Sequence, residues 1–216
     1  MADRPLPAEE PISFESDAHR LEGLLCAGRE KAVVVTHPHP LYGGDMHNPV
    51  VETILAAYQD MGWTTLRFNF RGVGRSAGRY TEGPGEQADV RQALAYLEAR
   101  GYRAAALSGY SFGAWVNARC AALLPPEIRM TMVAPPTAFM DFREVTHIPA
   151  LAAVVAGSRD DIAPPQMLSR MVPLWNPRAR LKILPGADHF FSSHLDQLRE
   201  ALAALLGVES PAAAQR

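Results

Sequence analysis

Unbroken runs of small and β-branched apolar residues, each followed by a stretch of helical periodicity, constrain this chain more than any other feature of its 216 residues. A-V-V-V-T (Ala32–Thr36) shows no polar alternation, so a strand there must be buried on both faces. Met130–Ala134 and Leu151–Gly157 repeat that pattern. Between such runs, Val50, Ile54, Ala57, Tyr58 and Met61 recur at helical spacing, as do Val90, Leu94 and Leu97. The pattern predicts a hairpin over 11–27 around Asp17-Ala18, then strands at 32–36, 63–70, 103–109, 130–134, 151–157 and 180–184. Helices are expected at about 49–61, 86–100, 112–124, 165–172 and 191–206. Eight strands alternating with about five helices imply a mostly parallel sheet with helices on both faces and right-handed crossovers. No repeat or linker divides the pattern. A single domain over 11–207 is expected, with flexible segments at 1–10 and 208–216.

Charge narrows the function. Lys+Arg number 21 against 23 Asp+Glu, a net −2, and no basic block provides the footprint that a nucleic-acid backbone requires. The longest apolar run, Ala150–Ala156, is far short of the roughly 18 residues of a membrane span. The opening M-A-D-R-P-L-P-A-E-E lacks the apolar core of a secretion signal, and Cys26 and Cys120 are too few for a disulfide framework. These features predict a cytoplasmic protein whose partner is a small molecule, with no nucleic acid and no membrane. They leave the oligomeric state open.

Ligands of such sheets bind beyond the carboxyl ends of the strands, so chemistry is sought in the loops there. G-Y-S-F-G (Gly109–Gly113) lies where a buried strand turns directly into a helix. A serine nucleophile must project from a strained turn, and small residues two before and two after it permit that turn. Serine also needs a base, itself oriented by a carboxylate. His189, in P-G-A-D-H-F-F after the last strand, suits the base; His194 is expected inside the final helix. Asp160 and Asp161, in G-S-R-D-D-I-A-P after the preceding strand, compete for the acid. Asp160 sits in the turn and is preferred, whereas Asp161 is closer to the next helix, where aspartate commonly caps. Asp188 and Asp141 are weaker candidates.

With T-H-P-H-P-L-Y-G-G-D-M-H-N (Thr36–Asn48) and F-N-F-R-G-V-G-R-S (Phe68–Ser76) added to these motifs, the chain resembles the α/β-hydrolase superfamily of serine hydrolases. Within it, the likeness is to small lidless bacterial members, similar to dienelactone hydrolases and carboxylesterases, that carry H-P-H-P-L-x-G-G after the third strand. The likeness spans about residues 12–206. It implies an α/β-hydrolase fold and a Ser111–Asp160–His189 triad needing no cofactor and no metal. It also implies an oxyanion hole from the Phe112 amide and an amide of the loop after Thr36. Pro38 and Pro40 have no N–H, so the near donors of that loop are His39, Leu41 and Tyr42. The family's H-G-x pattern, which becomes His37-Pro38-His39 here, implies His39 at the donating position, with Leu41 as the alternative. Hydrolysis of short-chain carboxylic esters through an acyl-enzyme is the expected function. A thioester or amide hydrolase, or a non-catalytic ligand-binding scaffold, is the alternative.

Three patterns point elsewhere. G-V-G-R-S-A (Gly72–Ala77) imitates a dinucleotide fingerprint, but R-Y-T-E-G-P-G-E intervenes before any helix. His37, His39, Asp45 and His47 resemble a binuclear zinc cluster, with five residues between His39 and Asp45 where the zinc pattern has fewer. Cys120 has no cation nearby in sequence and reads as a core thiol. Finally, Pro135–Pro149 leaves room for one short helix at Phe139–Arg143 and no cap domain. An open pocket lined by Leu41, Tyr42, Met46, Phe139, Met140 and Phe190 is expected.

Overall fold

The computed structural model describes residues 8–207. β1 (Glu9–Ser16) and β2 (His19–Cys26) form an antiparallel hairpin, and Asp17 at its tip takes φ 52°, a left-handed turn that aspartate tolerates. β2 pairs antiparallel with β4 (Trp63–Phe68), which runs parallel to β3 (Arg29–Thr36). β5 (Arg103–Tyr110), β6 (Arg129–Val133), β7 (Leu151–Gly157) and β8 (Arg180–Leu184) continue the sheet in parallel. The order is β1-β2-β4-β3-β5-β6-β7-β8. Strand sides alternate, yet every residue from Ala32 to Thr36 is buried, so both faces of the sheet are covered.

Among the described residues five helices do the covering: α1 (Pro49–Asp60), α2 (Pro84–Ala99), α3 (Phe112–Cys120), α4 (Pro165–Trp175) and α5 (Leu195–Leu206). α1 packs against α5, and α2 against α3. α1 and α2 each begin with proline, whose missing N–H costs nothing in a first turn. This is the α/β-hydrolase architecture. Among the described residues no helix is long and apolar enough to cross a membrane.

The boundaries differ from expectation where a tertiary contact intervenes. β1 starts at Glu9, inside the segment expected to be flexible; residues 1–7 and the expected flexible tail 208–216 lie outside the described residues. β4 ends at Phe68: Asn69 N still reaches Glu22 O of β2, but the next amide, Phe70 N, turns to the His37 ring. α3 stops at Cys120 and tightens into a 3₁₀ turn over Ala121–Leu123. α4 runs past Pro173 to Trp175, whose buried indole donates to Val145 O and packs on Phe142. α5 starts at Leu195 instead of 191, since Asp188 holds Ser192 in a turn and Phe191 takes φ 53°. The helix expected at Phe139–Arg143 is absent: Asp141 Oδ1 accepts Arg143 N, closing a local turn that competes with a helix. Pro135–Pro149 therefore crosses from β6 to β7 without a helix and without a cap.

Candidate active site

Ser111 stands between β5 and α3 with φ 51° and ψ −117°. A non-glycine residue held there costs about 1–3 kcal/mol. The surroundings enforce it: Ser111 N donates to Val133 O, and the flanking glycines pass where no side chain fits. A Cβ on Gly109 would lie 2.5 Å from both Asn117 Nδ2 and Thr36 Oγ1. One on Gly113 would lie 2.5 Å from Thr36 Oγ1 and 2.7 Å from His37 O.

Ser111 Oγ is 2.9 Å from His189 Nε2. The other ring nitrogen, Nδ1, is 2.9 Å from Asp160 Oδ2 and 3.0 Å from Oδ1. All three residues are buried, Ser111 being 8% exposed, His189 6% and Asp160 1%. Asp160 Oδ1 also accepts the amides of Ile162 (2.9 Å) and Ala163 (2.7 Å), which lock the carboxylate facing the ring. With Nδ1–H given to that carboxylate, the lone pair of Nε2 faces the serine hydroxyl. Asp161, one residue on, is exposed, and the carboxylate at His189 Nδ1 is that of Asp160. Asp188 is engaged with Ser192 and Asp141 with Arg143. His194 stands just before the first residue of α5, with no side-chain hydrogen bond to the helix, rather than lying inside it.

The loop after β3 is held by its histidines. His37 is fully buried: Phe70 N donates to Nε2 (3.0 Å), so Nδ1–H points to Pro38 O (2.7 Å). Burial holds its pKa down at about 4. Leu41 N donates to His39 Nδ1 (3.2 Å), which leaves the ring proton on Nε2 for Tyr80 Oη (3.1 Å). Burial also lowers the pKa of His39. Tyr42 N and Gly44 N both donate to His39 O. Leu41 N and Tyr42 N are thus spent within the loop. Among the described residues the amides of His39 and Phe112 have no acceptor. Their side chains meet as well, ring centroids 4.9 Å apart.

The zinc-like cluster does not assemble. Both ring nitrogens of His37 and His39 are occupied, and Asp45 turns back to accept His47 N. Among the described residues no three His, Cys, Asp or Glu side chains are placed to hold a metal. The Gly72–Ala77 segment forms turns with no helix behind it. Cys120 is buried against Gln87 O, and burial pushes its thiol up to about 12.

A cavity of about 410 Å³ opens over Ser111 and His189, mostly apolar, with Tyr42, Phe139, Met140 and Phe190 in its walls. Two expected lining residues are elsewhere. Leu41 points outward from the 3₁₀ turn Pro40–Tyr42, 69% exposed. Met46 is buried, its amide donating to Asn69 Oδ1 and its carbonyl accepting from Arg67, and it faces a separate cavity of about 610 Å³. Reasoning from sequence missed Tyr110, whose hydroxyl donates to His189 O (3.0 Å) and pins the loop that carries the imidazole. Burial, with Asp160 and Asp188 nearby, raises the pKa of that phenol. A tyrosine inside G-x-S-x-G carries no signal of this tie, because its partner is 79 residues away.

Known proteins share this fold. The Rickettsia prowazekii (strain Madrid E) protein named "Uncharacterized protein RP471" is 32% identical over 204 residues, spanning 88% of this chain and 86% of its own. An α/β serine hydrolase homologue from Coxiella burnetii is also 32% identical, with a TM-score of 0.84 over 91% of this chain and 97% of that one. XC6422 from Xanthomonas campestris, an α/β serine hydrolase without lid, is 32% identical with a TM-score of 0.85 over 96% of this chain and 100% of that one. No protein-family model matches. The chain belongs to the α/β-hydrolase superfamily, among its members without a cap.

Proposed function

We propose that the protein hydrolyses small carboxylic esters through an acyl-enzyme formed on Ser111. The reading rests on the buried hydrogen-bonded line from Ser111 Oγ through the His189 imidazole to the Asp160 carboxylate, set under an apolar cavity. Ser111 Oγ attacks the ester carbonyl carbon while His189 Nε2 takes its proton. The carbonyl electron pair moves onto oxygen, and the free amides of His39 and Phe112 receive that charge. As the tetrahedral intermediate collapses, His189 returns the proton to the departing alkoxide. Water then repeats the sequence on the acyl-enzyme, releasing the acid and restoring Ser111. Asp160 keeps the imidazole in the tautomer that can accept the proton and offsets the charge of the imidazolium.

Kinetics on a small aryl ester test this assignment. Ser111→Ala should lower kcat by about 10⁶-fold with the melting temperature retained. Asp160→Asn should cost about 10⁴-fold through the wrong tautomer, while Asp161→Asn stays within a few-fold of wild type. Ser111→Ala retaining a tenth of the activity contradicts the nucleophile. A larger loss in Asp161→Asn than in Asp160→Asn moves the acid to position 161.

A further inference from the structure

Asn48 lines the cavity that holds Ser111 and His189, at the end of the loop that carries His39. Its Oδ1 accepts Val50 N at 2.9 Å and caps α1. That bond decides which end of the amide faces where, because the oxygen is committed and the Nδ2 end is left over. Among the described residues those two N–H groups have no acceptor. The other polar side chains of the lining are in use: His39 on Leu41 N and Tyr80, Tyr110 on His189 O, and Ser111 with His189. Tyr42 projects a hydroxyl from a side chain in a residue 72% exposed, where water serves it. Asn48 therefore brings directional hydrogen-bonding capacity to an otherwise greasy cavity. An alkyl chain that displaces water from Nδ2 leaves a donor unpaired, and sites built that way discriminate against substrates lacking the matching group.

Building on the ester-hydrolase reading, we propose that Asn48 determines specificity by donating from Nδ2 to an oxygen in the acyl part of the substrate. The preferred substrates are then esters of short oxygen-substituted acids, bearing an ether, keto or hydroxyl oxygen, over simple alkanoates. The acyl side follows from the chemistry of proton return. His189 must reach the leaving oxygen, which places the leaving group on the imidazole side, by Phe190, whose ring is 5.6 Å from that of His189. The acyl group then extends away from the imidazole, along the wall built by residues 38–48.

The test compares p-nitrophenyl methoxyacetate with its isostere p-nitrophenyl butyrate, and p-nitrophenyl 3-methoxypropanoate with the pentanoate. The kcat/KM ratio within each pair is measured in wild type and in Asn48→Ser. Serine retains the cap on α1 but cannot offer the amide donors. The intrinsic reactivity of each ester cancels between the two proteins, so a change of ratio reads the contact. The preference for the oxygen-bearing acyl group should fall about threefold to tenfold in at least one pair. Asn48→Asp, which also caps but presents an acceptor, should lower the ratio at least as far if the serine variant is poorly folded. Ratios unchanged in both pairs overturn the proposal. So does a change confined to the leaving group, read from butyl against 2-methoxyethyl acetate. If wild type hydrolyses none of these esters, the ester-hydrolase reading itself fails, an outcome distinct from an unchanged preference.

Discussion

His37 and His189 are both buried imidazoles, and their partners set them to different tasks. His189 lies between a carboxylate and a hydroxyl, so it can exchange a proton with one while the other steadies the charge. His37 meets only main chain, Phe70 N at one nitrogen and Pro38 O at the other, and protonation would cost it the first of these bonds. Burial is the main reason its pKa is held at about 4; Asp45 opposes the shift and His39 adds to it. An unfolded chain protonates the same ring near 6.5. Below that pH the unfolded state takes up a proton that the folded state refuses, so this contribution is full above about pH 6.5 and is lost as pH falls toward 4. By pH 5 the loss is about 2 kcal/mol. From pH 7 to pH 5 the fall in stability read by urea unfolding should be smaller in His37→Gln than in wild type by about that amount. Equal drops in the two proteins contradict the assignment. None of this was legible in the sequence, where His37 looked like one member of a metal-like group. Its deciding partner, the Phe70 amide, comes from the end of a strand 33 residues away.

Elements whose patterns depend on near neighbours were readable, and those shaped by distant contacts were not. The buried runs of β3, β6 and β7 and the glycine-flanked turn into α3 announce themselves in the chain. The extension of α4 through Pro173 does not, because it depends on Trp175 reaching Phe142 and Val145. The same holds for Met46, which alternation along a loop could not assign to the wrong cavity or the right one. Pro135–Pro149 is the element with the clearest consequence for activity. It carries no helix over the cavity, and Tyr42, Phe139 and Phe190 stand exposed at the mouth. Each buried methylene of an acyl chain contributes about 0.8 kcal/mol, roughly fourfold in kcat/KM. That gain ends where the cavity meets water. Among unsubstituted p-nitrophenyl esters, kcat/KM should peak at about C2–C6 and fall at least about tenfold by C10–C12, where the chain tip loses entropy without burial. With no lid to displace, activity should not jump at an oil–water interface. A maximum at C12 or a jump on emulsified triglyceride would contradict an open site.

At the scale of the molecule, the sheet is what turns three separate loops into one site. Ser111 follows β5, Asp160 follows β7 and His189 follows β8, and the parallel order β5-β6-β7-β8 brings all three to the same carboxyl edge. Ser111 and His189 are 78 residues apart in sequence and 2.9 Å apart in space. Chain order and strand ends made that convergence legible beforehand, because parallel strands joined by right-handed crossovers leave little choice of edge. The details of the donor loop required the structure, since only there do Leu41 N and Tyr42 N prove to be spent and His39 N free. The central claim is that this edge presents Ser111 as a nucleophile that carries the acyl group. Intact-protein mass spectrometry after exposure to a fluorophosphonate, followed by peptide mapping, measures it directly. The account predicts one adduct per chain, on Ser111, with hydrolysis of a small aryl ester lost in proportion to labelling and no adduct in Ser111→Ala. Full ester hydrolysis retained once Ser111 is labelled, or hydrolysis lost with the adduct on another residue and Ser111 unmodified, would contradict it.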